Sequence, residues 1–318
     1  MSAQPALTFA AISGGERLPI VALPQAGLDA APGARARHGM AASPVLHAAE
    51  GADATGRPRA PQRPERVSSG CWLLSFRGDL DPAVADAYWE GGHGDIVAAS
   101  PGKREYRQHH FSPEDHGFWP APAGLGTRIP ADWRLDGMPE VTFGGSLLSV
   151  RMIKATAKIY LDEQNAFERM LAQFTGPRGG RWFTGPHRPD LGARAVVLIR
   201  RRRGLRPGAF RRFVHEVLAP ALLAGGALEL RSHVLIPWTR WLWMTPGLTH
   251  ENPAHRRYAA AIVIGAHDRD GIERVLHSPH VTATHDAQTR HCVGLHAYAV
   301  TRTVPRVVEH EHCCRGAR

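Results

Sequence analysis

A histidine on an apolar helix face is the first residue of this sequence with chemistry to offer. In YWEGGHGDIV, His93 follows Trp89 by four residues and precedes Ile96 and Val97 by three and four, so a helix places it on one face with them. An imidazole left unpaired there costs about 1–3 kcal/mol, so it needs a partner or a task. As structure it would hydrogen-bond a backbone carbonyl or Glu140. As chemistry it would be a general acid/base, because imidazole titrates near neutrality and an aromatic pocket would hold a planar substrate against it.

The next segment, EYRQHHF (105–111), reads as a strand. Alternation sends Tyr106, Gln108 and His110 to one side and Arg107 and His109 to the other, and only one set can face a pocket. Asp162 and Glu163 end a predicted helix that starts at Ser146; they could reach a pocket mouth but read more simply as a solvated helix end. His109, His110, Asp115 and His116 do not have the spacing of a known metal site, since neighbouring strand residues face opposite ways. His310, His312, Cys313 and Cys314 belong to a C-terminal tail (308–318) expected to be flexible. No metal is assigned. There is also no phosphate loop, dinucleotide fingerprint or nucleophile elbow, which argues against an NTPase, a Rossmann oxidoreductase and an α/β-hydrolase. No cofactor is assigned either.

The elements that must position these residues occur twice. CWLLSF (71–76) precedes a helix that Asp81 can cap with Pro82 in its first turn. AVVLIR (195–200) precedes the amphipathic PGAFRRFVHEVLAPALLAGG, which closes on a glycine pair. Strands follow each helix, at 105–111 and 138–145 in the first half and at 228–236 and 258–266 in the second. Then come helices at 146–172 and 268–278, and a last strand clearest at 293–302. Leu74 corresponds to Leu198, His93 to Leu218 and Val141 to Val263, a shift of 122 to 125 positions. The order β-α-β-β-α-β is that of a ferredoxin-like unit. Such a sheet has helices on one face only, so two copies (67–190 and 191–307) can cover each other's bare faces as an internal pseudo-dimer, an α+β arrangement.

The first copy resembles the EthD-like family of the dimeric α+β barrel superfamily. The residues carrying the resemblance are the pair Tyr88-Trp89, His93, the Pro101-Gly102 turn, Tyr106 leading its strand, and Asp136-Gly137 ahead of Glu140-Val141, over about 75 residues. The proline that family members place two residues after the histidine is Asp95 here. The second copy keeps Pro220 but has Leu218 in place of the histidine, so the first copy is expected to hold the working pocket. The resemblance favours the set Tyr106, Gln108 and His110. It implies His93, Tyr106, His110 and Glu140 as catalytic groups and Tyr88, Trp89, Gln108 and Asp136 as substrate contacts. The function it implies is cofactor-independent acid/base chemistry (dehydration, decarboxylation or cyclisation) on an aromatic or polyketide-like substrate. The alternatives are an EthD-type oxidoreductase component or cofactor-free oxygenase, and a non-catalytic binder of hydrophobic ligands.

Composition sets the remaining bounds. Residues 1–66 are rich in Ala, Gly, Pro and Arg with few large apolar side chains, and are expected to be disordered. The net charge of +10 invites a nucleic-acid reading. Much of it comes from seven arginines between Arg200 and Arg212, which read as a solvated loop edge because no base-stacking groups stand beside them; an anionic group on a substrate is the lesser reading. No nucleic-acid or membrane partner is expected. LTFAAIS (7–13) makes a poor signal peptide, no apolar run reaches the length of a bilayer crossing, and the four cysteines form no disulfide framework. A cytoplasmic protein fits, and a homodimer stays open. Most of the tryptophans are expected to pack in the core.

Overall fold

A computed structural model describes residues 63–144, 150–185 and 187–308, without the side chains of 150–155. The expected tails therefore fall mostly outside the described residues. Strand β1 (Glu65–Val67) is followed by β2 (Ser69–Phe76), α1 (Pro82–Tyr88), a π-helical turn (Trp89–His93) and α2 (Gly94–Ala99). Asp81 accepts a hydrogen bond from the Ala83 amide with Pro82 in the first turn, so the helix starts where its cap dictates. Next come β3 (Lys103–His116), β4 (Gly137–Phe143), α3 (Val150–Glu163) and β5 (Phe167–Trp182).

The second half runs β6 (Ala193–Arg201), α4 (Pro207–Arg212), a π-helical turn (Phe213–Leu218), α5 (Ala219–Ala224), β7 (Glu229–Leu235) and β8 (Ala260–Ala266). It ends with α6 (Arg269–Leu276), α7 (Pro279–Thr282), α8 (His285–His291) and β9 (Cys292–Val307). His93 and Leu218 each end the π-helical turn of their half.

The strands form one antiparallel sheet in the order β1-β5-β2-β4-β3-β9-β6-β8-β7, and β5 also pairs with β7, so the sheet closes into a barrel. The two longest strands, β5 and β9, explain the closure. β5 pairs with β2 through residues 167–174 and with β7 from Thr175 onward. β9 pairs with β6 from Cys292 to Val300 and with β3 from Tyr298 to Val307. Each of these 16-residue strands thus serves both halves, joining them edge to edge. Closure leaves few unpaired strand edges.

Two expectations need correction. The helix expected over 146–172 ends at Glu163, and residues from Phe167 onward are strand. FERMLAQF contains helix formers, but pairing with β2 and burial on both faces override that propensity. The boundary of the N-terminal tail at 66 is also displaced: Glu65, Arg66 and Val67 pair with Trp182, Arg181 and Gly180. The helix expected over 268–278 is α6, and two further short helices, α7 and α8, follow it before β9.

The barrel interior holds an apolar layer that includes Leu73, Met138, Leu171, Val196, Leu198 and Val263. Beside it is a buried ionic cluster. Glu140 accepts from Arg107 at 2.6 Å, from His109 and His233 at 3.0 Å each, and from Arg231 at 3.4 Å. Arg231 also forks onto Glu105 at 3.0 Å through both terminal nitrogens. Burial opposes the Glu140 charge, but Arg107 and Arg231 outweigh it and hold the carboxyl well below its usual range. The arginines of the 200–212 run are half-buried or exposed, and Arg200 lies over the Trp133 ring.

Candidate active site

A cavity of about 530 Å³ lies between the outer face of the first-half sheet and the helices that cover it. That volume suits a small organic ligand. Trp72, Val141, Phe143, Met170 and Phe174 line it from the sheet, Val97, Ile159 and Tyr160 from the helices, and Ile236, Leu242 and Trp243 from the segment after β7. The walls are mostly apolar and aromatic, and a few polar groups stand out against them: His93, Lys103, Tyr106, Glu163 and Thr175.

His93 reaches the cavity from the π-helical turn, an inserted residue in the helix of a kind often found at functional sites. Its ring is buried, packs edge-on against Phe167 with centroids 5.1 Å apart, and lies 2.7 Å through Nδ1 from Asp162 Oδ2. Tyr88 Oη donates to the other Asp162 oxygen at 2.6 Å and accepts from Asn165 Nδ2 at 3.0 Å. Burial works against the Asp162 carboxylate, yet the hydrogen bonds from His93 and Tyr88 keep its pKa below the ordinary range. Burial and the same carboxylate push the Tyr88 phenol up to about 12. With Asp162 ionised, the short contact places a proton on His93 Nδ1 and leaves Nε2 as the ring nitrogen the carboxylate does not engage.

Glu163, next to Asp162 at the end of α3, is 2 % exposed and lines the cavity. Its oxygens accept from Trp243 Nε1 at 3.1 Å and from the Thr245 hydroxyl. Burial raises its pKa, with Thr245, His93 and Trp243 opposing. Tyr106 is fully buried in the cavity wall, and burial pushes its phenol pKa up, so the hydroxyl keeps its proton. Trp89 and Gln108 are close enough to influence that hydroxyl, but neither makes a well-directed hydrogen bond to it.

The eight residues singled out from the sequence thus separate into groups. His93 and Tyr106 line the cavity, and Tyr88 stands behind His93 through Asp162. Trp89, Gln108 and His110 lie under the helix: Gln108 donates to the Trp89 carbonyl at 2.6 Å, and His110 packs 4.0 Å from the Trp89 ring and 2.5 Å from Asp86. Asp136 accepts from the Phe76 amide at 2.6 Å and ties β2 to the turn before β4.

Glu140 is the clear departure. Pro139 and Val141 line the cavity, so alternation turns Glu140 into the barrel interior, away from His93. Asp162 takes the place expected of it. Asp162 and Glu163, read as a solvated helix end, are buried because α3 packs its last turn against the helical segment that carries Tyr88 and His93 and against the 243–245 segment. Lys103, Trp72 and Trp243 were not singled out. The aromatic character of the tryptophans was legible, but their convergence on one cavity depends on a chain crossing from the second half.

The second half has a continuous apolar core around Leu218, the counterpart of His93 in the π-helical turn. Phe213, Leu218 and Leu222 pack with Trp119 and Leu125, which the loop after β3 inserts, and Trp119 Nε1 donates to Gln288 at 3.1 Å. Among the described residues no three His, Cys, Asp or Glu side chains are placed to hold a metal ion. No described helix is long and apolar enough to cross a membrane.

No protein-family model and no curated protein matches the sequence. Solved structures similar to the chain include a provisionally named monooxygenase of Lactobacillus acidophilus, at 10% identity and TM-score 0.44, covering 78% of this chain and 96% of its own. A provisionally named monooxygenase of Fusobacterium nucleatum matches at 8% identity and TM-score 0.43, covering 76% and 94%. An anthrone oxidase-like protein matches at 9% identity and TM-score 0.44, covering 78% and 97%. Similarity at this level assigns no chemistry, and the mixed α/β barrel described above rests on its own strand pairings.

Proposed function

We propose that the chain is an EthD-like small-molecule enzyme built from two tandem barrel units, 67–190 and 191–307, with its working site in the first. It would act by cofactor-independent acid/base chemistry on an aromatic or polyketide-like substrate. The observation that carries this reading is the His93–Asp162 pair facing an apolar cavity of about 530 Å³.

In this mechanism His93 Nε2 takes a proton from a phenol or from a carbon beside a carbonyl, and the Asp162 carboxylate stabilises the imidazolium that forms. The Tyr106 hydroxyl or a protonated Glu163 donates a hydrogen bond to the oxygen on which negative charge develops. Return of the proton from His93 to the leaving hydroxyl, or to carbon, completes a dehydration, a cyclisation or a decarboxylation. The aromatic walls hold the planar substrate and keep water out.

The test is turnover of a panel of polyhydroxylated aromatic and β-polyketo compounds by the wild type, His93→Ala and His93→Phe. The expected outcome is loss of about 100-fold or more in both variants, with melting temperatures close to the wild type. Full activity per folded molecule in both variants would leave His93 as a core residue and end the proposal. Oxygen uptake coupled to turnover would move the assignment to a cofactor-free oxygenase.

A further inference from the structure

Strand β3 carries an irregularity where it enters the sheet. Lys103 is paired with Phe143 and Glu105 with Thr142, so the register shifts by one residue between them. Counting back from Tyr106, strict alternation would turn Arg104 toward the cavity and Lys103 away from it. The bulge reverses this. Lys103 and Tyr106, three positions apart, both line the cavity. Arg104 instead pairs with Glu65 and lies 4.7 Å over the Trp182 ring. Bulges beside binding sites commonly re-aim a side chain in this way.

The ammonium delivered to the cavity has no acidic partner among the described residues. Its hydrogen bonds go to the carbonyl and hydroxyl of Ser100, at the end of α2. Glu163, which lines the same cavity, is held by Trp243 and Thr245. Burial lowers the Lys103 pKa to about 8, so the group is still charged at neutral pH. A half-buried cation in a cavity that Val97, Phe143 and Pro177 also line has lost much of its hydration, and a counter-ion carried by the ligand would replace it. Seven residues of helix, about 10 Å of axial rise, separate His93 from Ser100.

We propose that Lys103 determines specificity in this cavity and that the ligand is an aromatic carboxylic acid, its carboxylate paired with the Lys103 ammonium and its rings against Trp72 and Trp243. The reacting end then lies toward His93. This rests on the cavity being a small-molecule site, as argued under the proposed function, but not on the acid/base step.

The test is tryptophan-fluorescence titration of the full chain with 2-naphthoate and with uncharged 2-naphthamide, in the wild type, Lys103→Arg and Lys103→Met. In the wild type 2-naphthoate binds at least about tenfold more tightly than the amide, the factor expected of one charge-assisted contact. Lys103→Arg keeps the preference. Lys103→Met brings the two dissociation constants together while leaving amide binding within about twofold, since the aromatic walls are unchanged. Equal affinities in the wild type, a preference that survives in Lys103→Met, or no saturable binding of either probe would each overturn the assignment. The naphthoate preference standing alongside full activity in His93→Ala would sink the acid/base reading alone. Equal affinities for the two probes in the wild type, with His93-dependent turnover intact, would sink only the role of Lys103.

Discussion

His93 Nδ1 and Asp162 Oδ2 lie 2.7 Å apart although 69 residues separate them in the chain. The carboxylate fixes the imidazole tautomer and would share the charge created when Nε2 accepts a proton. Asp162→Asn is expected to lower kcat/KM by about 100-fold or more, because an amide cannot offset imidazolium charge and can present its NH2 to Nδ1, favouring the wrong tautomer. Steady-state kinetics on a turned-over substrate, with melting temperature as the control for folding, gives the answer; wild-type rates would show that the pair is structural.

Glu163 gives a pH-dependent signature. Burial raises its folded-state pKa, so the protonated carboxyl is favoured by folding and that contribution fades as pH rises through the folded value. Glu163→Gln keeps an acceptor for Thr245 and Trp243 without the charge. The variant should match the wild type near pH 4 and exceed its melting temperature by about 2 °C or more at pH 8. Calorimetry across that range checks it, and a melting temperature lower than wild type at pH 8 would mean that the carboxylate is net stabilising.

Gly137 occupies a position that the resemblance marked only as a motif. A Cβ there would run into the Trp89 ring and the His109 carbonyl, 2.8 Å away. Gly137→Ala should cost about 1–3 kcal/mol, the usual range for overpacking a well-filled core. Urea unfolding of the variant reports it directly, and a change under about 0.5 kcal/mol would show that the indole can shift.

Acid should destabilise the protein before its carboxylates titrate. Burial is the first cause that lowers His109, His187 and His296 to about 4 and His215 to about 3. An unfolded histidine titrates near about 6.5, so the unfolded chain binds more protons than the folded one between there and about 4. Stability therefore falls as pH drops through that window. The urea midpoint measured at half-unit steps should decline from about pH 6.5 downward, and His215→Gln should flatten the decline. A constant midpoint down to pH 5 would contradict the assignment.

What the sequence determined by itself is what neighbours a few residues away dictate. Asp81 with Pro82 starts a helix because the cap is local. Alternation in 105–111 separates Tyr106, Gln108 and His110 from Arg107 and His109 because successive side chains of a pleated strand point to opposite faces. Most of the strands and helices were legible for the same reason; β1, β5 and the helices α7 and α8 were not, and in FERMLAQF the local preference gives way to pairing.

The tertiary structure alone decided which charges meet. Both faces of β4 are buried, so no polarity pattern in MPEVTF could tell whether Glu140 looks toward His93 or into the barrel. Asp162 became the partner of His93 only when α3 packed against the π-helical turn that carries it, and Trp243 reached the cavity only because β5 and β7 close the barrel. Lys103 faces inward through a one-residue shift in register, which depends on pairing with β4 and leaves no mark in the residues themselves.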